Sequence, residues 1–143
     1  MNPIEVTTPP KKSGVDRNIT SLAGELFVAA ELLKRGLQTS ITFGNAKQID
    51  LLAHNSETGQ TFTIQVKALR AKGYFPIRAI HPNHIYVFVV LNKPGEVVQY
   101  FIVSGKRLLD EPERFDYRDP KFPGLYVKTL VEFEGAWSTF GCS

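Results

Sequence analysis

Between Ile19 and Arg35 the apolar residues Leu22, Leu26, Ala29, Ala30 and Leu33 recur at three- and four-residue steps, the period of a helix with one apolar stripe. Asn18 or Thr20 offers a side-chain oxygen to cap its start, Gly36 ends it, and Lys34 and Arg35 lie at the negative end of its dipole. After Gly36 the pattern shortens. Thr39 to Phe43, Gln48 to Ala53 and Thr61 to Ala68 are short runs of β type, and Asn55, Ser56 and Gly59 supply turn chemistry between the second and third, which therefore form an antiparallel hairpin. Ile85 to Leu91 and Val97 to Val103 are apolar on both faces, as strands in the middle of a covered sheet are, and Asn92 to Gly95 join them.

Ser104 is placed to cap a short helix reaching Asp110. Prolines and charges mark Glu111 to Pro123 as a loop, with a short strand over Leu125 to Val127 and a helix over Lys128 to Trp137 after it. Met1 to Val15 has adjacent prolines, two lysines and no periodicity, so a flexible tail is expected over 1–15 and a single domain over 16–143. The length of 143 residues suits one such domain.

Composition narrows the class. The longest apolar run, Ile85 to Leu91, is far short of the roughly 20 residues that cross a bilayer. The polar start lacks the apolar stretch of a signal peptide, so a cytoplasmic protein is expected. A lone Cys142 excludes an internal disulfide and a cysteine-rich metal site. Net charge is only +3, yet its distribution is uneven: Thr58 to Gly95 holds Lys67, Arg70, Lys72, Arg78 and Lys93 with no carboxylate, whereas Glu111 to Ser143 holds six acids against four bases.

Four residues within this framework invite chemistry. Glu25 falls about 60–80° from the centre of the apolar stripe, so its carboxylate is turned partly toward the core, where an unpartnered charge costs several kcal/mol. Asp50 stands among apolar residues near a strand start, a poor place for an aspartate without a task. Along Thr61 to Lys67 the two-residue period puts Phe62, Ile64 and Val66 toward the core and Thr63, Gln65 and Lys67 on the other face, so that Gln65 and Lys67 project side by side. A helix carrying an inward glutamate, followed by a hairpin with an aspartate on one strand and a polar-x-Lys on the next, can gather these side chains at one point. Asp50, Glu25, the Gln65 amide oxygen and the Val66 carbonyl would then offer the oxygen donors a Mg2+ ion prefers.

Gly24-Glu25, Ile49-Asp50 and Gln65-Val66-Lys67, in this order, resemble the motif of the PD-(D/E)xK nuclease superfamily, which includes restriction endonucleases, archaeal Holliday-junction resolvases and the end-cleaving subunits of some transposases. The resemblance spans about Ile19 to Val103. It implies an α/β fold with a restriction endonuclease-like αβββαβ core, its mixed central sheet flanked by helices, and Mg2+-dependent hydrolysis of DNA phosphodiester bonds, often by a homodimer. Mn2+ is the natural substitute ion, and no organic cofactor or membrane partner is expected. By position, Asp50 is the principal metal ligand, Gln65 stands at the (D/E) position, Lys67 is the catalytic lysine and Glu25 the helix-borne acid. The sequence departs from the motif twice, with Ile49 in place of Pro and Gln65 in place of a carboxylate. The second departure removes one charge from the ion's shell. It is the motive for an alternative, a nuclease-fold DNA-binding protein or subunit of a nucleic-acid-processing assembly with little cleavage.

Arg70, Lys72, Tyr74 and Arg78, directly after the motif, are candidate nucleic-acid contacts, although Tyr74 and Phe75 suit a packed core equally well. His81 and His84 are best placed as turn and strand-start residues, and Trp137 as a packing residue.

Overall fold

The computed structural model describes residues 14–42, 49–115 and 121–143. Helix α1 spans Gly14–Lys34, so the expected tail loses Gly14 and Val15 to the helix, and its remainder, 1–13, lies outside the described residues. Asn18 and Thr20 are interior to α1, which begins at Gly14, while Gly36 (φ 91°) ends it as expected.

Five strands form the main sheet: β1 (Gln38–Ile41), β2 (Leu51–Asn55), β3 (Gln60–Leu69), β5 (His84–Val90) and β6 (Gln99–Ser104), in spatial order β1-β2-β3-β5-β6. All neighbours are antiparallel except β3 and β5, which run parallel. This is the mixed α/β architecture expected from the sequence. The residues between β3 and β5 make no helix; they hold β4 (Tyr74–Pro76), which pairs with β7 (Gly124–Tyr126) in a separate two-stranded ribbon.

Alternation along β5 divides the core. Val87 and Val89 point to the side covered by α1, Trp137 and Phe140, whereas Tyr86, Phe88 and Val90 point to the side covered by the β4–β7 ribbon and by helices α2 (Gly105–Asp110) and α3 (Pro112–Phe115). Ser104 caps α2 as its position foretold, accepting a hydrogen bond from the Arg107 N–H at 3.1 Å. Asn55 builds the β2–β3 turn by accepting from the N–H groups of Glu57 and Thr58. Part of the expected loop after Glu111 is helical in α3, and the helix expected over Lys128–Trp137 is replaced by single 3-10 turns at Val127–Thr129, Val131–Phe133 and Trp137–Phe140. Gly135, at φ 66°, interrupts any continuous helix there.

α1 seats itself on the sheet with a different face from the one its large residues mark. Thr20, Gly24, Val28, Ala29 and Leu32 are buried, whereas Leu22, Leu26 and Leu33 are 45, 48 and 54% exposed. Shape decides this. A Cβ on Gly24 would come within 2.6 Å of the Ala68 Cβ and 3.4 Å of a Val66 methyl, so helix and strand meet where neither carries bulk. Burial of Val28 and Leu32 there stabilises the fold by roughly 1.5–3 kcal/mol each. Among the described residues, no helix is long and apolar enough to cross a membrane.

Candidate active site

β3 outruns its neighbour. Leu51, the first residue of β2, pairs with Ile64, so among the described residues the edge of β3 from Val66 to Leu69 has no strand beside it. Asp50 closes the last gap: its N–H donates to the Ile64 carbonyl at 2.9 Å, and its Oδ2 accepts the Val66 N–H at 2.8 Å. The carboxylate thus satisfies a backbone donor that would otherwise end the ladder unpaired. Because N–H and C=O of one strand residue point to the same side, the Val66 carbonyl faces this edge too. Thr42, just past β1, fixes the backbone around Asp50 by donating its N–H to the Asp50 carbonyl at 3.1 Å and its hydroxyl to the Ile49 carbonyl at 2.6 Å.

The close approach at Gly24 carries the next residue of the helix to the same place. The Glu25 carboxyl lies within hydrogen-bonding reach of Asp50, and burial, then the Asp50 charge, then that hydrogen bond push it up from 4.5 to about 7. The Glu25 carboxyl is therefore only partly ionised near neutral pH. A cavity of about 250 Å3 opens beside them, lined by Ser21 and Glu25 from α1, by Asp50, by Val66, Lys67, Ala68 and Leu69 of β3, and by Phe75 and Pro76 of β4. Glu25, Asp50, Val66 and Lys67 are accordingly gathered around one space.

Gln65 is not in it. The residue is buried at 4% exposure, and its amide nitrogen donates to His84 Nδ1 at 2.9 Å and to Tyr86 Oη at 3.2 Å. His84 pairs with Thr63 on the parallel neighbour and Lys67 with Phe88, so the amide leans toward the start of β3 and away from the cavity. Accepting at Nδ1 leaves His84 in the Nε2–H form, and burial followed by the charge of nearby His81 lowers its pKa below 6.5. The two imidazoles lie 4.7 Å apart at the turn and strand start expected of them.

No protein-family model matches the sequence, and no curated protein matches it. Among solved structures, one of a bacterial homing endonuclease, I-Ssp6803I, is similar, with a TM-score of 0.47 and 13% identity over 65% of this chain and 72% of that chain.

Of the residues read as nucleic-acid contacts, Arg70, Lys72 and Arg78 are exposed. Tyr74 is half-buried: its hydroxyl donates to the Phe122 carbonyl, and its ring lies 4.9 Å from that of Tyr126. Phe75 belongs to the core at 1% exposure. Ser21, Thr42 and Tyr126 were not marked out by the sequence. Ser21 precedes Glu25 by one helical turn, which is the only signal that would have found it.

Among the described residues no three Asp, Glu, His or Cys side chains converge. The donors around the cavity are two carboxylates and the strand-edge carbonyl of Val66. All are hard oxygens, and the Asp50 charge that helps to raise Glu25 marks a concentration of negative charge that a divalent cation would relieve.

Proposed function

We propose that the protein is a metal-dependent endonuclease that hydrolyses phosphodiester bonds in DNA. The observation that carries this reading is the pairing of Glu25 with Asp50 at the open edge of β3, beside Lys67, in a cavity wide enough for a phosphate group. Glu25, Asp50 and the Val66 carbonyl would hold a Mg2+ or Mn2+ ion, which when bound supplies the positive charge that acidifies a water and neutralises the phosphate. Asp50 is held rigid by the Val66 N–H, which fits it to be the constant ligand. Glu25 would serve as the second carboxylate ligand in its ionised form. Lys67 is a donor without acceptor capacity, suited to orient the attacking water and to meet charge growing on the phosphate. The exposed Arg70, Lys72 and Arg78 extend the cationic surface onward from the cavity, where they would neutralise backbone phosphates.

The test is nicking of supercoiled plasmid with Mg2+ or Mn2+. Cleavage is expected from the wild type and its loss from Asp50→Asn and Lys67→Ala; cleavage that survives both substitutions overturns the assignment. A second reading is a nuclease-fold DNA-binding protein of weak activity. It is favoured by one feature, the engagement of Gln65 with His84 and Tyr86, which leaves two acids at the cavity. DNA binding without cleavage under either metal would establish it.

A further inference from the structure

The β4–β7 ribbon connects the cavity beside Asp50 to a second one. Phe75 and Pro76 line the first, while Lys72 and Gly73, two to three residues earlier on the same segment, line a pocket of about 390 Å3 with Tyr126, Val127, Lys128 and Val131. The two are therefore joined by one short segment of chain, Lys72 to Pro76.

The pocket's composition is specific. Leu125 and Val127 on either side of Tyr126 are buried at 0 and 7%, so the strand alternation turns the tyrosine outward, 55% exposed. Tyr74, its register partner, braces the ring from one side at 4.9 Å, and the Lys128 amine stands 5.3 Å from its centroid. Val131, 62% exposed, supplies apolar wall, and the two charged lining residues, Lys72 and Lys128, are both cations. Glu132, beside Val131 in sequence, is ion-paired with Arg114 and does not line the pocket. A braced, exposed ring in a pocket whose charged lining residues are both lysines suits a nucleobase and its flanking phosphates, with the Lys128 amine turning from the ring to a phosphate when the base stacks.

We propose that this pocket binds one unpaired base of a single-stranded DNA segment, stacked on Tyr126 with its flanking phosphates on Lys72 and Lys128. Combined with the reading of the Asp50 cavity, on which this half of the inference rests, the substrate is duplex DNA bearing a single-stranded arm, cut near the junction.

Binding by fluorescence anisotropy, without divalent metal and at fixed salt, compares a blunt duplex, the same duplex with a single-stranded tail, and an oligothymidylate. The wild type is expected to prefer tailed DNA. Tyr126→Ala should weaken tailed DNA and oligothymidylate by about tenfold, the loss of one stack, while Tyr126→Phe keeps affinity and the blunt duplex changes less than twofold. Lys72→Ala and Lys128→Ala should each reduce the salt slope for tailed DNA by about one. Equal affinity of the wild type for tailed and blunt DNA, tailed binding untouched by Tyr126→Ala, or no DNA binding at low salt overturns the proposal. Its fate is separable from that of the nuclease reading: an arm preference that depends on Tyr126 upholds the pocket even if no DNA is cut, and plasmid cleavage without such a preference sinks the pocket alone.

Discussion

Glu25 of α1 and Asp50, just before β2, line the same cavity, and burial together with the Asp50 charge raises the Glu25 carboxyl from 4.5 to about 7, so it holds a proton that the unfolded chain would release at lower pH. Between those values the folded state binds more protons than the unfolded one, so this group's contribution to stability is greatest below pH 4.5 and declines as the pH rises to about 7. Urea unfolding at pH 5 and pH 8 should show the decline in the wild type and its absence in Glu25→Gln. Millimolar Mg2+ should restore wild-type stability at pH 8, since a ligand of the folded state alone adds to it. A pH dependence identical in wild type and Glu25→Gln would dissolve the pairing.

Gly24 gives the opposite sign from helix propensity. In an exposed helix, Gly→Ala stabilises by about 1 kcal/mol. Here the added methyl meets the Ala68 Cβ at 2.6 Å, and neither atom can swing aside because each is fixed to its backbone. Gly24→Ala is therefore expected to cost about 1–3 kcal/mol net, the usual range for overpacking, and to draw Glu25 away from Asp50. Ala68→Gly in the same chain should recover most of the loss in urea unfolding. Without that recovery the contact is not the cause.

The hairpin, the two apolar strands and the Ser104 cap were legible because each is a local pattern: turn residues between β runs, apolar alternation, a hydroxyl before a helix. The location of Asp50 near a strand start was legible for the same reason. The face of α1 was not. Leu22, Leu26 and Leu33 form the stronger stripe by hydrophobicity, yet the sheet accepts Gly24 and Val28 because Val66 and Ala68 leave room only for a close approach. Periodicity ranks residues by transfer energy and is silent on the surface they must fit. Gln65 illustrates a second limit. The period of two correctly placed it with Lys67 on one face, but its amide direction depends on His84 and Tyr86, brought beside it by a parallel pairing some twenty residues distant in the chain.

The basic segment after Lys67 divides by burial. Arg70 and Arg78 are exposed, so Arg70→Ala and Arg78→Ala should leave stability within about 0.5 kcal/mol and each lower the salt slope of DNA binding by about one. Tyr74→Ala removes a half-buried ring and the hydrogen bond to Phe122, and should instead lower stability by about 1–3 kcal/mol, visible as an earlier unfolding midpoint. An unchanged salt slope in the arginine variants would place the DNA elsewhere on the surface.

Gln65 offers the sharpest separation between motif and geometry. As the (D/E)-position residue it would be a metal ligand, and its loss would cost metal affinity. Its position predicts otherwise: the amide is committed to His84 and Tyr86, so Gln65→Ala removes two hydrogen bonds, one of them buried, and should destabilise the fold by about 1–3 kcal/mol. Mn2+ affinity, measured by calorimetry under conditions where the variant is folded, should stay within twofold, whereas Asp50→Ala should lose it more than tenfold. Gln65→Glu supplies the complement. A carboxylate beside Nδ1 favours the charged imidazole, so the His84 pKa should rise from its lowered value, a shift readable by NMR titration. Loss of Mn2+ binding in Gln65→Ala comparable to that in Asp50→Ala would mean that the amide turns to the cavity when the ion binds, and the place of Gln65 in the motif would then outweigh its bonds to His84 and Tyr86.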